Sequence, residues 1–93
     1  MSTTRKQVKQ ARRPSLEAMR AKIDRVDFAL LEGLAFRAHI AAAIAERKRE
    51  QGLPSRDRVR ERQLMEARRR YGRKLGLDEE LVVGLFRLVL QRR

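Results

Sequence analysis

From Leu16 to about Gln51 the apolar residues return every three or four positions, as Leu16, Met19, Ile23, Val26, Leu30, Leu34, Ala38, Ala41 and Ile44. That interval matches the α-helical period, so the spacing predicts a single long helix with one apolar side. No proline interrupts the stretch and Gly33 is its only glycine. Ser15 stands where an N-cap is needed, and Gly52 followed by Pro54 supplies the stop. A second helix is expected to begin near Ser55 or Asp57, to run through Leu64 and Tyr71, and to end around Gly76. Asp78 caps a third, with Glu79 and Glu80 near its positive end and an apolar face of Leu81, Val82, Leu85, Phe86, Leu88 and Val89. Nothing alternates with the period of a strand and nothing repeats. The pattern therefore predicts an all-α chain of one long and two shorter helices.

The length of the first helix changes the picture. About 36 residues at about 1.5 Å each make a rod of about 54 Å, longer than a compact body of 93 residues is wide. Its apolar stripe needs a second chain to cover it. The expected solution is an intertwined six-helix homodimer in which the long helices pack together and the shorter ones complete two cores. Gly33 and the run Ala41, Ala42, Ala43 would permit close helix approach, or Gly33 is merely tolerated.

The first 14 residues read differently. They carry Arg5, Lys6, Lys9, Arg12 and Arg13, no acidic residue and almost nothing apolar, so residues 1–14 are expected to form a disordered basic tail ahead of a helical domain over 15–93. The tail is not the whole of the charge. Twenty-four Lys and Arg against 12 Asp and Glu give the chain +12, which favours anionic partners without choosing among nucleic acid, lipid and small anions. The absence of cysteine rules out a disulfide framework and a thiolate metal site, and one histidine argues against a His-based one. No uninterrupted apolar run approaches about 18 residues, so neither a membrane-spanning helix nor a membrane partner is expected. The start lacks the apolar stretch of a secretory signal, which makes the cytoplasm the expected location.

The most informative chemistry lies on one seam of the long helix: Arg20, Ile23, Asp27, Leu30, Leu34, Arg37, Ala41, Ile44 and Lys48. Three cations interrupt an apolar stripe. Burying an unpaired charge costs several kcal/mol, so these side chains either enclose an anion or escape burial by snorkelling or by pairing, with Asp27 serving one Arg. Arg37 and Lys48 are separated by about 16 Å along the axis, close enough for long side chains to converge on one small anion. Arg20 lies about 25 Å from Arg37 and reaches the same ligand only if an antiparallel partner helix returns it. A pocket shared between two subunits is the outcome. On the second helix Asp57, Arg60, Glu61, Leu64, Arg68 and Tyr71 follow helical spacing, a series that by itself reads as an ordinary solvated face.

The run from Leu16 through Arg20, Ile23 and Asp27, then Leu30-Leu31, Arg37, Ala45-Glu-Arg-Lys48 and Arg56-Asp57-Arg58-Val59-Arg60-Glu61-Arg62, resembles the all-helical chorismate mutase family. Leu77-Asp78 and Leu85-Phe86-Arg87-Leu88 carry the resemblance into the third helix, so it covers everything but the tail. It implies a three-helix chain dimerising into a six-helix assembly with two shared sites. It also implies conversion of chorismate to prephenate, an isomerisation that needs no cofactor and no metal. Arg37 and the partner's Arg20 would grip the two substrate carboxylates, and Lys48 would hydrogen-bond the ether oxygen. Glu61 with Asp57 would face the hydroxyl or ether region, and Arg60 would assist electrostatically. The Lys48, Glu61 and Arg37 roles are catalytic in this scheme. Were Glu61 to serve the ether oxygen it would have to be protonated, with a pH-dependent rate as the sign.

One departure stands out. The family extends the third helix and presents a Gln as a second donor to the ether oxygen, whereas this sequence ends at Gln91-Arg92-Arg93, and Gln91 falls about two turns ahead of that position. The expected consequence is weak activity for the chain alone, a further C-terminal segment, or completion of the site by an activating partner, the first enzyme of the shikimate pathway. Within the same resemblance, isochorismate pyruvate lyases share the positions of Arg20, Arg37 and Lys48 but not the pair seen here as Arg60 and Glu61, while aminodeoxychorismate mutases differ only in one ring substituent of the substrate. From another class, the Arg-rich second helix with the basic tail could follow a phosphate backbone. Only four aromatics are present, Phe28, Phe36, Tyr71 and Phe86, and they form no stacking platform, so nucleic acid is the less favoured partner.

Overall fold

In a computed structural model, residues 13–91 are described. The basic tail expected over 1–14 lies outside them except for Arg13 and Pro14, as do Arg92 and Arg93. Three helices follow in order: α1, Leu16–Glu50; α2, Arg58–Lys74; and α3, Glu79–Gln91. Among the described residues there is no strand, as the apolar period predicted.

Local chemistry explains where each helix begins and ends. Ser15 Oγ accepts from the Ala18 backbone N–H at 3.0 Å, and Asp57 Oδ1 accepts from Arg60 N–H at 3.0 Å. Asp78 Oδ2 takes the Leu81 N–H at 3.3 Å. Each cap satisfies a donor that has no partner inside its helix. At the other ends, Gly52 and Gly76 adopt positive φ angles of 69° and 78°. There the Leu53 N–H reaches back to the Lys48 carbonyl at 2.8 Å and the Leu77 N–H to that of Gly72 at 2.9 Å. Both are Schellman closures, a geometry that glycine enters without steric cost.

The chain divides into two compact units, Met1–Arg37 and Ala38–Arg93, with α1 contributing to both. In the first, every described residue belongs to α1 or to the short stretch before it. Its large apolar side chains, from Leu16 and Met19 to Leu34 and Phe36, are exposed, and α1 as a whole buries none of its residues. Among the described residues this stripe is left facing water.

In the second unit α2 packs on α3. Leu64 and Val82 form its core, at 7% and 6% exposure, and Gly72 is buried beside them. Arg68 lays its guanidinium 5.8 Å from the centre of the Phe86 ring, within cation–π range. At the same junction Arg69 Nε donates to Glu79 Oε1 at 2.7 Å. Met19 on α1 is exposed and Met65 on α2 half-buried.

The expectation about membranes needs a correction. Within α1, residues 28–45 have a mean hydropathy of 1.5 with two charged residues, Glu32 and Arg37, so length and composition alone suffice for a membrane span. Those two charges divide the stretch, so it contains no uninterrupted apolar run of that length. Arg37 falls near its middle, where a cation costs about 2.5–3.5 kcal/mol even on insertion scales. The same profile belongs to a helix whose apolar side is covered by protein.

Candidate active site

Six residues carried the chemistry expected from the sequence, and four of them gather around the connection between α1 and α2. Lys48, in the last turn of α1, is half-buried and directs its Nζ toward the Ser55 carbonyl oxygen at 3.4 Å. Two residues later Asp57 caps α2 with Arg60 as its backbone donor, and Glu61 follows in the first turn. An ammonium group thus approaches the same connection that leads into the Asp57, Arg60 and Glu61 turn. Arg20 and Arg37 belong to the first unit; Arg20 is exposed and Arg37 half-buried on α1.

Asp57 has a structural duty that its expected binding role did not anticipate. Its Oδ1 is committed to the Arg60 N–H. This bond holds the first turn of α2 and thereby sets the direction from which Arg60 and Glu61 leave the helix. The Arg60 side chain itself is exposed.

Glu61 is held more closely. Its side chain is 15% exposed, and the Arg56 Nε lies 3.1 Å from Oε1 and 3.0 Å from Oε2. A single N–H shared between both oxygens of a carboxylate is a charge-assisted contact, stronger than a bond between neutral groups. Arg56 had no assigned role in the sequence reading. It stands five residues before Glu61, across the N-cap, where no helical periodicity connects the two positions. One local signal was present: Arg60 and not a Glu or Gln occupies the third helical position, so no capping box forms and the carboxylate at the fourth position is left for another donor.

Glu61 also borders a half-open groove of about 420 Å³ between the start of α2 and the end of α3. Arg56, Arg58 and Arg62 line one side, Arg87 comes from α3, and Met65, Leu90 and Gln91 complete it. Four arginines and one glutamate thus share the lining of this groove. The remaining Arg side chains of α2 include two that meet acidic neighbours: Arg69 and Arg70 each lie 3.8 Å from Glu66. That matches the solvated face expected for the Arg-rich helix. No group of three or more His, Cys, Asp or Glu residues suited to a metal ion occurs among the described residues.

Comparison with known proteins bears on this arrangement. The family model for chorismate mutase type II matches residues 19–92, a span containing all six residues singled out from the sequence. The T-protein of Enterobacter agglomerans is 37% identical over 76 residues, which cover 82% of this chain and 20% of that protein. The chain thus spans about a fifth of the length of the curated relative it matches. No solved structure matches significantly. Chorismate mutases are isomerases, and with a three-helix architecture and a family match over most of its length, the chain belongs to the chorismate mutase type II family.

Proposed function

We propose that the chain rearranges chorismate to prephenate as a homodimer, in a cationic pocket to which both subunits contribute. The observation that carries this reading is the family match over residues 19–92, with Arg20, Arg37, Lys48, Asp57, Arg60 and Glu61 all inside it. The exposed apolar side of α1 supports the dimer: eleven large apolar side chains, from Leu16 to Ile44, leave the helix uncovered in a single chain. A second copy supplies an identical stripe. In this arrangement the basic tail over 1–14 stays outside the helical domain over 15–93, and the enzyme works in the cytoplasm.

The chemistry asks little of the protein beyond position and charge. Chorismate is a flexible dianion whose enolpyruvyl side chain must fold over the ring before the ether carbon–oxygen bond breaks and the new carbon–carbon bond forms. Arg37 and Arg20 of the partner subunit grip the two carboxylates and select that conformer, exchanging the entropy of a floppy reactant for binding. Lys48 donates to the ether oxygen, where negative charge grows along the reaction, so its bond is stronger in the transition state than in the ground state. Asp57 and Glu61 face the ring hydroxyl side, and Arg60 adds positive potential. No cofactor enters.

The direct test is prephenate formation by the purified chain, run in parallel with isochorismate and the amino analogue of chorismate. Prephenate from chorismate with no turnover of the other two supports the reading. Turnover of isochorismate to pyruvate and salicylate, or of the amino analogue alone, replaces it with the corresponding relative's reaction. An activating partner enzyme belongs to this proposal as well, and its test is a rise in rate when the first enzyme of the shikimate pathway is added.

A further inference from the structure

The Arg56–Glu61 contact bears on a choice that the family resemblance left open, namely whether Glu61 donates a proton toward the ether oxygen or accepts one from a hydroxyl. We propose that Arg56 is a positioning residue that keeps Glu61 ionised and turned as a hydrogen-bond acceptor within the site proposed above. The inference rests on the proposed mutase reaction for its catalytic consequence, while the state of Glu61 follows from the geometry of this chain.

Three independent features converge on the carboxylate. Arg56 Nε spans both oxygens at 3.0 and 3.1 Å, an arrangement in which neither oxygen retains a proton without weakening the contact. Glu61 itself is mostly sheltered, at 15% side-chain exposure, so its partner is less screened than on an open surface. The groove that Glu61 borders is lined by cations from the connection and from both α2 and α3. Arg56 approaches from the connection, Arg58 and Arg62 from α2, and Arg87 from α3, with Lys48 reaching the same connection at Ser55. The first turn of α2 adds the positive end of a helix dipole. Asp57, four residues earlier in the chain, has an oxygen engaged by the Arg60 backbone N–H. A neutral Glu61, needed for donation to the ether oxygen, would have to form against all of these.

Arg56 is 60% exposed and its side chain is anchored to Glu61 at one end, so it can be replaced with little loss of packing. The experiment compares the full chain with its Arg56→Gln and Arg56→Lys variants, checking helicity of each by circular dichroism. The pH dependence of kcat/KM for prephenate formation is read together with the titration of the Glu61 carboxyl carbon by NMR. In Arg56→Gln we expect the Glu61 signal to titrate at higher pH than in the unsubstituted chain, and the acid limb of the kcat/KM profile to move to higher pH with it, the rate recovering as the pH rises. Arg56→Lys, which keeps the charge without the fixed geometry, should restore the titration and part of the rate. An equal loss at all pH values would reduce Arg56 to a structural role and overturn the proposal. A rate that increases in Arg56→Gln at low pH would overturn it in the other direction, since a neutral Glu61 would then be the active form. Should the unsubstituted chain make no prephenate, the mutase reading fails, and the carboxyl titration still decides whether Arg56 holds Glu61 ionised.

Discussion

Gly72 of α2 lies so close to Val82 of α3 that a Cβ placed on the glycine would stand 2.7 Å from Val82 Cγ2. The contact joins two of the three most buried positions of the second unit, and it is the reason a glycine is kept inside a helix where alanine is intrinsically favoured by about 1 kcal/mol. Two effects therefore compete in Gly72→Ala. Overpacking against a stiff β-branched side chain costs about 1–3 kcal/mol, more than the propensity gain returns, so the variant should be less stable. Making the same change in a Val82→Ala chain removes the Cγ2 obstacle, and the sign should then reverse toward stabilisation of up to about 1 kcal/mol. Urea denaturation of the four chains at one protein concentration measures both; equal effects on the two backgrounds would show that the contact is not the cause.

The Arg69–Glu79 pair predicts an acid-side dependence of stability. The hydrogen bond from Arg69, and then its charge, hold the Glu79 carboxyl below the ordinary glutamate range. A depressed carboxyl contributes stability that is fully present above the unfolded pKa and is lost as pH falls through the folded one. Stability should accordingly rise with pH from strongly acid conditions up to about pH 4.5, and Arg69→Gln should flatten that part of the curve. Both side chains are about two-fifths exposed, so added salt should shrink the effect. Thermal melts across pH 2–6 at low and high salt give the comparison.

Replacement of Lys48 by Ala separates catalysis from folding. Loss of a donor aimed at developing charge lowers rates by about 10²–10³, whereas the helix end where Lys48 sits is closed by backbone bonds of Gly52 and Leu53 that do not need its side chain. Turnover should collapse while the circular dichroism spectrum and the oligomeric state stay unchanged. Retained activity would remove Lys48 from the site.

Sharing of the pocket predicts complementation. Homodimers of Arg20→Ala and of Arg37→Ala should each be nearly inactive, and mixing them under conditions of subunit exchange should restore one working site per heterodimer. Activity is measured after exchange is confirmed by mass spectrometry of differently tagged chains. No recovery would place both arginines in a site belonging to one chain.

Asp57→Ala should act on stability and on the site at once. Loss of the cap costs about 0.5–2 kcal/mol, and fraying of the first turn of α2 releases Glu61 from its aim. Asn, which caps nearly as well, should recover the stability; the rate that Asn fails to recover measures what the Asp57 charge contributes to the reaction.

What the residue order determined by itself was everything that depends on neighbours a few positions apart. Helix periods, the caps at Ser15 and Asp78, a start of α2 near Ser55 or Asp57, and the turns at Gly52 and Gly76 follow from backbone donors and acceptors that lie within one turn. The length of α1 made the exposure of its apolar stripe foreseeable, because a rod of that size is longer than a compact body built from the 43 residues that follow it is wide. Tertiary structure alone decided the rest. Gly72 meets Val82, Arg69 meets Glu79 and Arg68 meets Phe86 only because α3 turns back along α2, and Arg56 reaches Glu61 only through the path of the connection ahead of the cap. These contacts obey no sequence period, since they are set by how two surfaces pack and by where a non-helical segment runs.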